Sequence, residues 1–89
     1  MAKILLVEDD RISAEFVRTW LTAERHVVEL AYDGEEALEY LRAAEFDVIL
    51  LDIDLPKVSG AEVLKQFRKA GKSTSVIMLT GKTDVATKE

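Results

Sequence analysis

The chain has 89 residues and a formal net charge of −5, with 48% hydrophobic and 33% charged residues. This length suits one small domain with a single core. The absence of cysteine excludes disulfides and thiolate zinc sites, and no apolar stretch approaches the ~20 residues that span a bilayer. The acidic balance argues against a nucleic-acid partner, because nucleic-acid-binding domains gather lysine and arginine on one face. We therefore expect a cytoplasmic domain that binds neither nucleic acid nor membrane.

Segments typical of strands and helices alternate along the chain. The first strand, residues 3–7, is apolar throughout, which predicts burial on both faces of a sheet. The other predicted elements are a helix over 11–24, a strand over 26–31, a helix from 33, a strand over 46–51, a helix over 60–70, a strand over 75–79 and the beginning of a helix over 84–89. Asp10, Asp33 and Ser59 are suited to cap the three complete helices, and Gly71 is suited to end the third.

This order of elements predicts the α/β class. Strands joined through helices by right-handed crossovers form a parallel sheet with helices on both faces. We expect a flavodoxin-like doubly wound sheet of strand order 2-1-3-4, forming one domain over residues 1–89. The strand over 46–51 is the most apolar and should be central.

The first helix carries an apolar stripe. Phe16, Val17, Trp20 and Leu21 recur at helical spacing, which is typical of a helix that packs with one side on a core. We therefore expect Phe16 and Trp20 to be core residues.

Acidic and hydroxyl side chains follow three of the predicted strands, at the point where each strand ends. Glu8, Asp9 and Asp10 follow the first strand, Asp52 follows the third and Thr80 follows the fourth. The carboxyl ends of parallel strands meet at one edge of the sheet, where ligands bind in open α/β folds. Carboxylates crowded there repel one another unless a hard cation lies among them. The sequence therefore predicts a divalent-metal pocket with one carboxylate free to react.

Four motifs surround these positions. They are Lys-Ile-Leu-Leu-Val-Glu-Asp-Asp at the start, Asp-Gly-Glu-Glu-Ala-Leu in the second helix, Asp-Ile-Asp-Leu-Pro with Gly60 after the third strand, and Val-Ile-Met-Leu-Thr-Gly in the fourth. Together they resemble the receiver domain of bacterial two-component response regulators, over essentially the whole chain. The resemblance implies a phosphoprotein of phosphorelay signal transduction, not an enzyme, which takes a phosphoryl group from a histidine kinase or a histidine phosphotransfer domain.

The resemblance also implies roles for individual residues at the acidic edge. Asp52 matches the phosphoacceptor. Glu8 and Asp9 match the acidic pair that holds Mg²⁺ together with Asp52 and the backbone carbonyl of Asp54. Alignment on the preceding valine favours this pair and leaves Asp10 as a helix cap.

Other matched positions belong to the switch, to phosphate lifetime and to docking. Thr80 matches the switch hydroxyl, and Asp54 and Lys82 occupy positions that tune how long the phosphate survives. The first helix docks the phosphodonor domain in this family. The docking candidates on that helix are Ile12, Ser13 and part of Phe16.

The chain stops before features that complete members of this family have. These are a fifth strand that ends in a lysine and a fifth helix, so we expect a receiver that is incomplete at its C-terminus. The fourth strand, residues 75–79, would then be an exposed apolar edge that favours self-association or strand complementation by another chain.

Two other functions compete with the phosphoacceptor. One is a truncated or engineered half-receiver that acts as an assembly module without a working phosphorylation switch. The other is a haloacid dehalogenase-type phosphatase, whose nucleophile motif resembles Asp52-x-Asp54. In those enzymes the motif usually follows the first strand and a threonine commonly comes next, whereas here it follows the third strand and Leu55 comes next.

Overall fold

The structure of the protein is a computed structural model that describes residues 1–79. Its elements are β1 (Lys3–Val7), α1 (Arg11–Ala23), β2 (Val27–Ala31), α2 (Gly34–Ala43), β3 (Val48–Asp52), α3 (Gly60–Lys69) and β4 (Ser75–Leu79). The helix expected over 84–89 lies outside the described residues. None of the three helices is long and apolar enough to cross a membrane.

Each of the three helices begins at the cap that the sequence predicts. The side chains of Asp10, Asp33 and Ser59 each accept a hydrogen bond from a backbone N–H two or three residues further along, at 2.8–3.3 Å. These bonds satisfy N–H groups that have no partner within the helix. After α3, Gly71 has a φ of 86°, in the left-handed region that glycine adopts without strain.

The four strands form one parallel sheet in the order β2-β1-β3-β4. This order and the central place of β1 and β3 confirm the prediction, and no fifth strand or helix occurs within residues 1–79. The strand bounds differ slightly from those expected. β2 begins at Val27 instead of His26, and β3 starts two residues later than predicted and includes Asp52, which pairs with Leu79.

The two faces of the sheet are covered by different helices. Along β1, Leu5 and Val7 belong to a buried cluster that includes Leu41 of α2 and Val63 of α3. Because successive side chains of a strand point to opposite faces, the alternate residues of β1 point toward the other face. There α1 packs against β1 and β2.

The expectation that Phe16 and Trp20 are core residues is wrong. Their exposed fractions are 75% and 66%, whereas Ala14 is fully buried and Val17 and Leu21 are half-buried. The residues that α1 turns to the sheet are therefore spaced as 14, 17 and 21. The apolar surface of α1 is wider than the strip that contacts β1 and β2, and its remainder faces away from the described part of the chain.

Candidate metal centre

Three carboxylates meet at one edge of the sheet. Glu8 and Asp9 directly follow β1, and Asp52 is the last residue of β3. Because β1 and β3 are parallel neighbours with Val7 opposite Leu51, both strands end at the same level. The structure accordingly brings one carboxylate oxygen from each of the three acidic residues within 4.8 Å of one another.

The three acidic residues differ in exposure and in how they are held. Asp52 is only 6% exposed, Glu8 is half-buried and Asp9 is exposed. Asp52 Oδ1 accepts a hydrogen bond from the backbone N–H of Asp54 at 3.2 Å, and Glu8 Oε2 accepts one from the backbone N–H of Asp10 at 3.1 Å. Two of the three carboxylates are thus oriented by the backbone that follows their own strands.

The environment disfavours negative charge on two of these groups. Burial raises the pKa of Asp52, and the charges of Asp9 and Asp54 raise it further, although the N–H of Asp54 opposes the change. Burial also raises the pKa of Glu8; the hydrogen bond from the N–H of Asp10 opposes the change, and the charges of Asp52 and Asp9 add to it. A cation among the carboxylates would offset both causes, because it favours the charged form of each.

The donor set fits a hard divalent cation. It consists of carboxylate oxygens alone, with neither imidazole nor thiolate among them. Oxygen ligands of this kind suit Mg²⁺, which is usually bound through one or two carboxylates and keeps several waters. Positions on such an ion that the carboxylates leave open would accept water or a phosphoryl oxygen.

Asp54 lies close to this cluster without joining it through its side chain. It is exposed, two residues beyond the end of β3, and its carboxylate is not one of the three that converge. Its backbone contacts the cluster through the hydrogen bond to Asp52. A metal contact through the carbonyl of Asp54 stays a prediction.

The other predicted site residues fall into two groups. Ile12, Ser13 and Phe16 lie in the first two turns of α1, and all three are exposed. Since α1 begins after Asp10, these residues follow the acidic cluster directly along the chain. Thr80 and Lys82 lie outside the described residues.

Two glycines near the site have structural roles that the sequence indicates only weakly. A Cβ built on Gly60 would overlap the carbonyl oxygen of Asp52 and lie 2.9 Å from the Cα of Ile53. Only glycine therefore lets α3 begin so close to the end of β3. Gly34, which the sequence presents only as a helix-start glycine, stands in similar contact with Val58. The contact of Gly34 joins residues 24 positions apart, so no local spacing pattern predicts it.

Comparison with known proteins defines the class. The sequence model of the response regulator receiver domain matches residues 4–89. The transcriptional regulatory protein DltR of Streptococcus agalactiae is 45% identical over 80 residues, which are 90% of this chain and 36% of that protein. The chain therefore spans about a third of the length of that relative. These matches show that the chain belongs to the response regulator receiver domain family, whose members are signalling modules of two-component systems.

Solved structures agree in fold. The receiver domain of the Francisella response regulator 1452 superposes with a TM-score of 0.89 at 32% identity, over 96% of this chain and 70% of that one. The response regulator TrrA of Thermotoga maritima, solved in complex with Mg²⁺ and BeF, gives 0.86 at 35% identity, over 93% of this chain and 72% of that one. The flavodoxin-like arrangement predicted from the sequence is thus confirmed.

Proposed function

We propose that this chain is the phosphoacceptor of a two-component phosphorelay and that Asp52 carries the phosphoryl group. The supporting observation is the buried carboxylate of Asp52 beside the carboxylates of Glu8 and Asp9 at the open edge of the sheet. Keeping a negative charge on a buried acid beside two other acids costs free energy. Groups in such environments are typical of functional sites.

The proposed reaction transfers a phosphoryl group from a histidine nitrogen to a carboxylate oxygen. One oxygen of the Asp52 carboxylate attacks the phosphorus of a phosphohistidine on a histidine kinase or histidine phosphotransfer domain. The P–N bond breaks as the new P–O bond forms, and the electron pair remains on the imidazole nitrogen. Because a carboxylate is a weak nucleophile, the chain contributes position and charge compensation more than base catalysis.

Mg²⁺ is the proposed cofactor. Asp9 and Asp52 would hold it through their side chains, Glu8 through a bound water, and Asp54 through its backbone carbonyl. When bound, the ion neutralises charge that accumulates on the transferring phosphoryl oxygens. The N–H of Asp54 keeps Asp52 Oδ1 oriented, so the other oxygen of Asp52 can face the phosphorus.

Thr80, Lys82 and Asp54 complete this proposal. Thr80 would donate its hydroxyl hydrogen to a phosphoryl oxygen and draw its loop inward. Lys82 and Asp54 would set phosphate lifetime through a salt bridge across the mouth of the site. The variant Lys82→Glu should therefore change the dephosphorylation rate, and an unchanged rate would contradict this role.

The proposed docking surface for the phosphodonor is the start of α1. Ile12 and Phe16 are 84% and 75% exposed, and Ser13 is exposed beside them. The three residues follow the cluster directly along the chain, so a helix docked there would approach Asp52. Exposed apolar groups of this size are typical of protein interaction sites.

Intact mass after incubation with a small-molecule phosphodonor tests the proposal. We expect a gain of one phosphoryl group that requires Mg²⁺ and is absent in Asp52→Asn. The matched control is Asp47→Asn, because Asp47 is an aspartate whose carboxylate binds the backbone N–H of Lys3 away from the cluster. Absence of any gain in a folded chain would contradict the phosphoacceptor role.

A second proposal concerns self-association through β4. This strand lies at an edge of the described sheet, and Ile77 on it is 52% exposed. Edge strands with apolar side chains offer unpaired N–H and C=O groups to another chain. We expect the molar mass in sedimentation equilibrium to rise with concentration, and a monomer at high concentration would contradict this proposal.

A further inference from the structure

The loop between β3 and α3, residues 53–59, is fixed at its base beside the carboxylate cluster. The backbone N–H of Gly60 donates to the carbonyl of Ile53 at 2.9 Å, which closes the loop. Within it, the N–H of Asp54 donates to Asp52 Oδ1. The first residues of this loop therefore contact Asp52 directly.

The C-terminal part of the same loop, at Val58, lies against α2. Gly34 is the first residue of α2 and is buried. A Cβ built on Gly34 would overlap the carbonyl oxygen of Val58 and lie 2.7 Å from its Cβ and 2.8 Å from its carbonyl carbon. Two of these three atoms are backbone, so no side-chain rotation could relieve the overlap. The missing side chain of Gly34 sets how closely the loop approaches α2.

A charged contact reinforces this approach. Lys57 Nζ lies 3.5 Å from Asp33 Oδ2 and 3.8 Å from Glu35 Oε1, on the two residues that flank Gly34. Lys57 also has a φ of 67°, a left-handed conformation that is uncommon for a residue with a Cβ. Such a conformation persists where the surroundings hold it in place. Here the ion pairs and the contact at Val58 supply that restraint.

We propose that the first turn of α2 braces the β3–α3 loop and that Gly34 and Lys57 are positioning residues for metal binding. This inference rests on the proposed function, because the loop acts on Mg²⁺ only through Asp52 and Asp54. Because the Gly60–Ile53 hydrogen bond joins the two ends of the loop, the segment from Asp54 to Val58 is held at both ends, at its base and against α2. Displacement of Val58 then changes the path of this segment, which includes the N–H of Asp54 that orients Asp52. Groups that orient metal ligands commonly change metal affinity by about 10- to 100-fold when altered.

Calorimetric titration of the 89-residue chain with Mg²⁺ tests the role of Gly34. We expect Gly34→Ala to weaken binding about tenfold or more. The control is Gly71→Ala, since Gly71 also has a positive φ, but no described atom lies within 4 Å of its built Cβ. Gly71→Ala should lower the thermal midpoint and leave the affinity unchanged.

The outcomes separate the brace from the function on which it rests. Equal affinities in Gly34→Ala and the wild type would overturn the brace while leaving the proposed function intact. No binding by the wild type would overturn the proposed function, and the brace with it. A loss of affinity in Gly71→Ala as large as in Gly34→Ala would also overturn the brace, because general destabilisation would then explain both.

The charged contact allows a second test whose sign is informative. Lys57→Met removes a cation, so long-range electrostatics alone would tighten binding of a divalent ion. The brace predicts the opposite, a weakening of about two- to threefold at low salt, the size expected of an exposed ion pair. Lys65→Met, at an exposed lysine of α3, is the matched control and should not weaken binding. If Lys57→Met binds Mg²⁺ as tightly as the wild type or more tightly, the role of Lys57 is overturned. If Gly34→Ala does not fold, this same result for Lys57→Met overturns the whole brace.

Discussion

The two faces of the sheet differ in how completely they are covered. On one face, α2 and α3 bury a continuous cluster in which Leu51 and Val63 are each 1% exposed. On the other face, Leu6 of β1 is fully buried, but Ala14 is the only fully buried residue of α1 itself, and the two largest apolar residues of this helix, Phe16 and Trp20, are mostly exposed. Both faces are covered by amphipathic helices, so the difference lies in which neighbouring elements pack against each helix.

This comparison separates apolar patterning from burial. Helical spacing determines which residues share a side of a helix, whereas burial depends on the neighbouring elements that reach that side. α2 and α3 contact each other as well as the sheet, and together they cover their face. Within residues 1–79, α1 has no neighbouring helix on its own face, so the apolar surface beyond its contact strip stays accessible.

The largest expected effect tests the covered face. Leu51→Ala should lower the free energy of unfolding by about 2–5 kcal/mol, because it leaves a cavity in a packed core. Ile12→Ala, which truncates an exposed aliphatic residue of α1, should change it by about 0.5 kcal/mol or less. Urea unfolding measures both. Similar losses in the two variants would contradict the unequal covering of the faces.

A smaller effect of opposite sign is expected at the acidic edge. Asp52→Asn should raise the free energy of unfolding of the metal-free protein by roughly 1 kcal/mol, because it removes a buried charge close to other carboxylates. Glu39→Gln, at an exposed acid of α2, is the control and should have little effect. The comparison is made by urea unfolding in a chelator at neutral pH. Destabilisation by Asp52→Asn would show that burial and carboxylate repulsion do not disfavour the charge of Asp52.

The gain from Asp52→Asn should depend on pH. The folded-state pKa of Asp52 is raised above its ordinary value of 3.8. Between the unfolded-state pKa and the higher folded-state pKa, the folded state therefore binds more protons than the unfolded state. The free energy of unfolding falls as pH rises through this interval. The difference between Asp52→Asn and the wild type should be greatest at neutral pH and vanish below about pH 4. A difference that is constant over this range would show that charge is not its cause.

The smallest effect concerns the uncovered face of α1. Trp20→Gln should alter the free energy of unfolding by about 0.5 kcal/mol or less. Trp20 is the single tryptophan of the chain, so fluorescence of the native protein reports on it alone. We expect acrylamide to quench it almost as efficiently as in the unfolded chain. A strongly protected tryptophan would indicate that another surface covers α1.

The sequence carries enough local information to predict most of the architecture. Caps at Asp10, Asp33 and Ser59 involve residues within one helical turn, so their residue types indicate the helix starts. The apolar runs and the rule of right-handed crossovers then leave few topologies, and 2-1-3-4 is the order found. The convergence of Glu8, Asp9 and Asp52 follows from the same topology, since all three end parallel neighbouring strands.

The parts that could not be predicted depend on contacts between distant segments. The exposure of Phe16 and Trp20 depends on what lies opposite α1, and helical spacing contains no such information. The contact between Gly34 and Val58 joins residues 24 positions apart in the sequence, and neither residue type signals the other. The same holds for the pairing of Lys57 with Asp33, which requires the fold to be known.

The most direct test of the central claim, that three strand-end carboxylates form a metal site, is a Mg²⁺ titration followed by amide chemical shifts in two-dimensional NMR. The account predicts saturable shifts concentrated at residues 8–10 and 52–54, which are lost in Asp52→Asn. Shifts that never saturate, or that centre on the exposed acids Glu35 and Glu39 of α2, would contradict it.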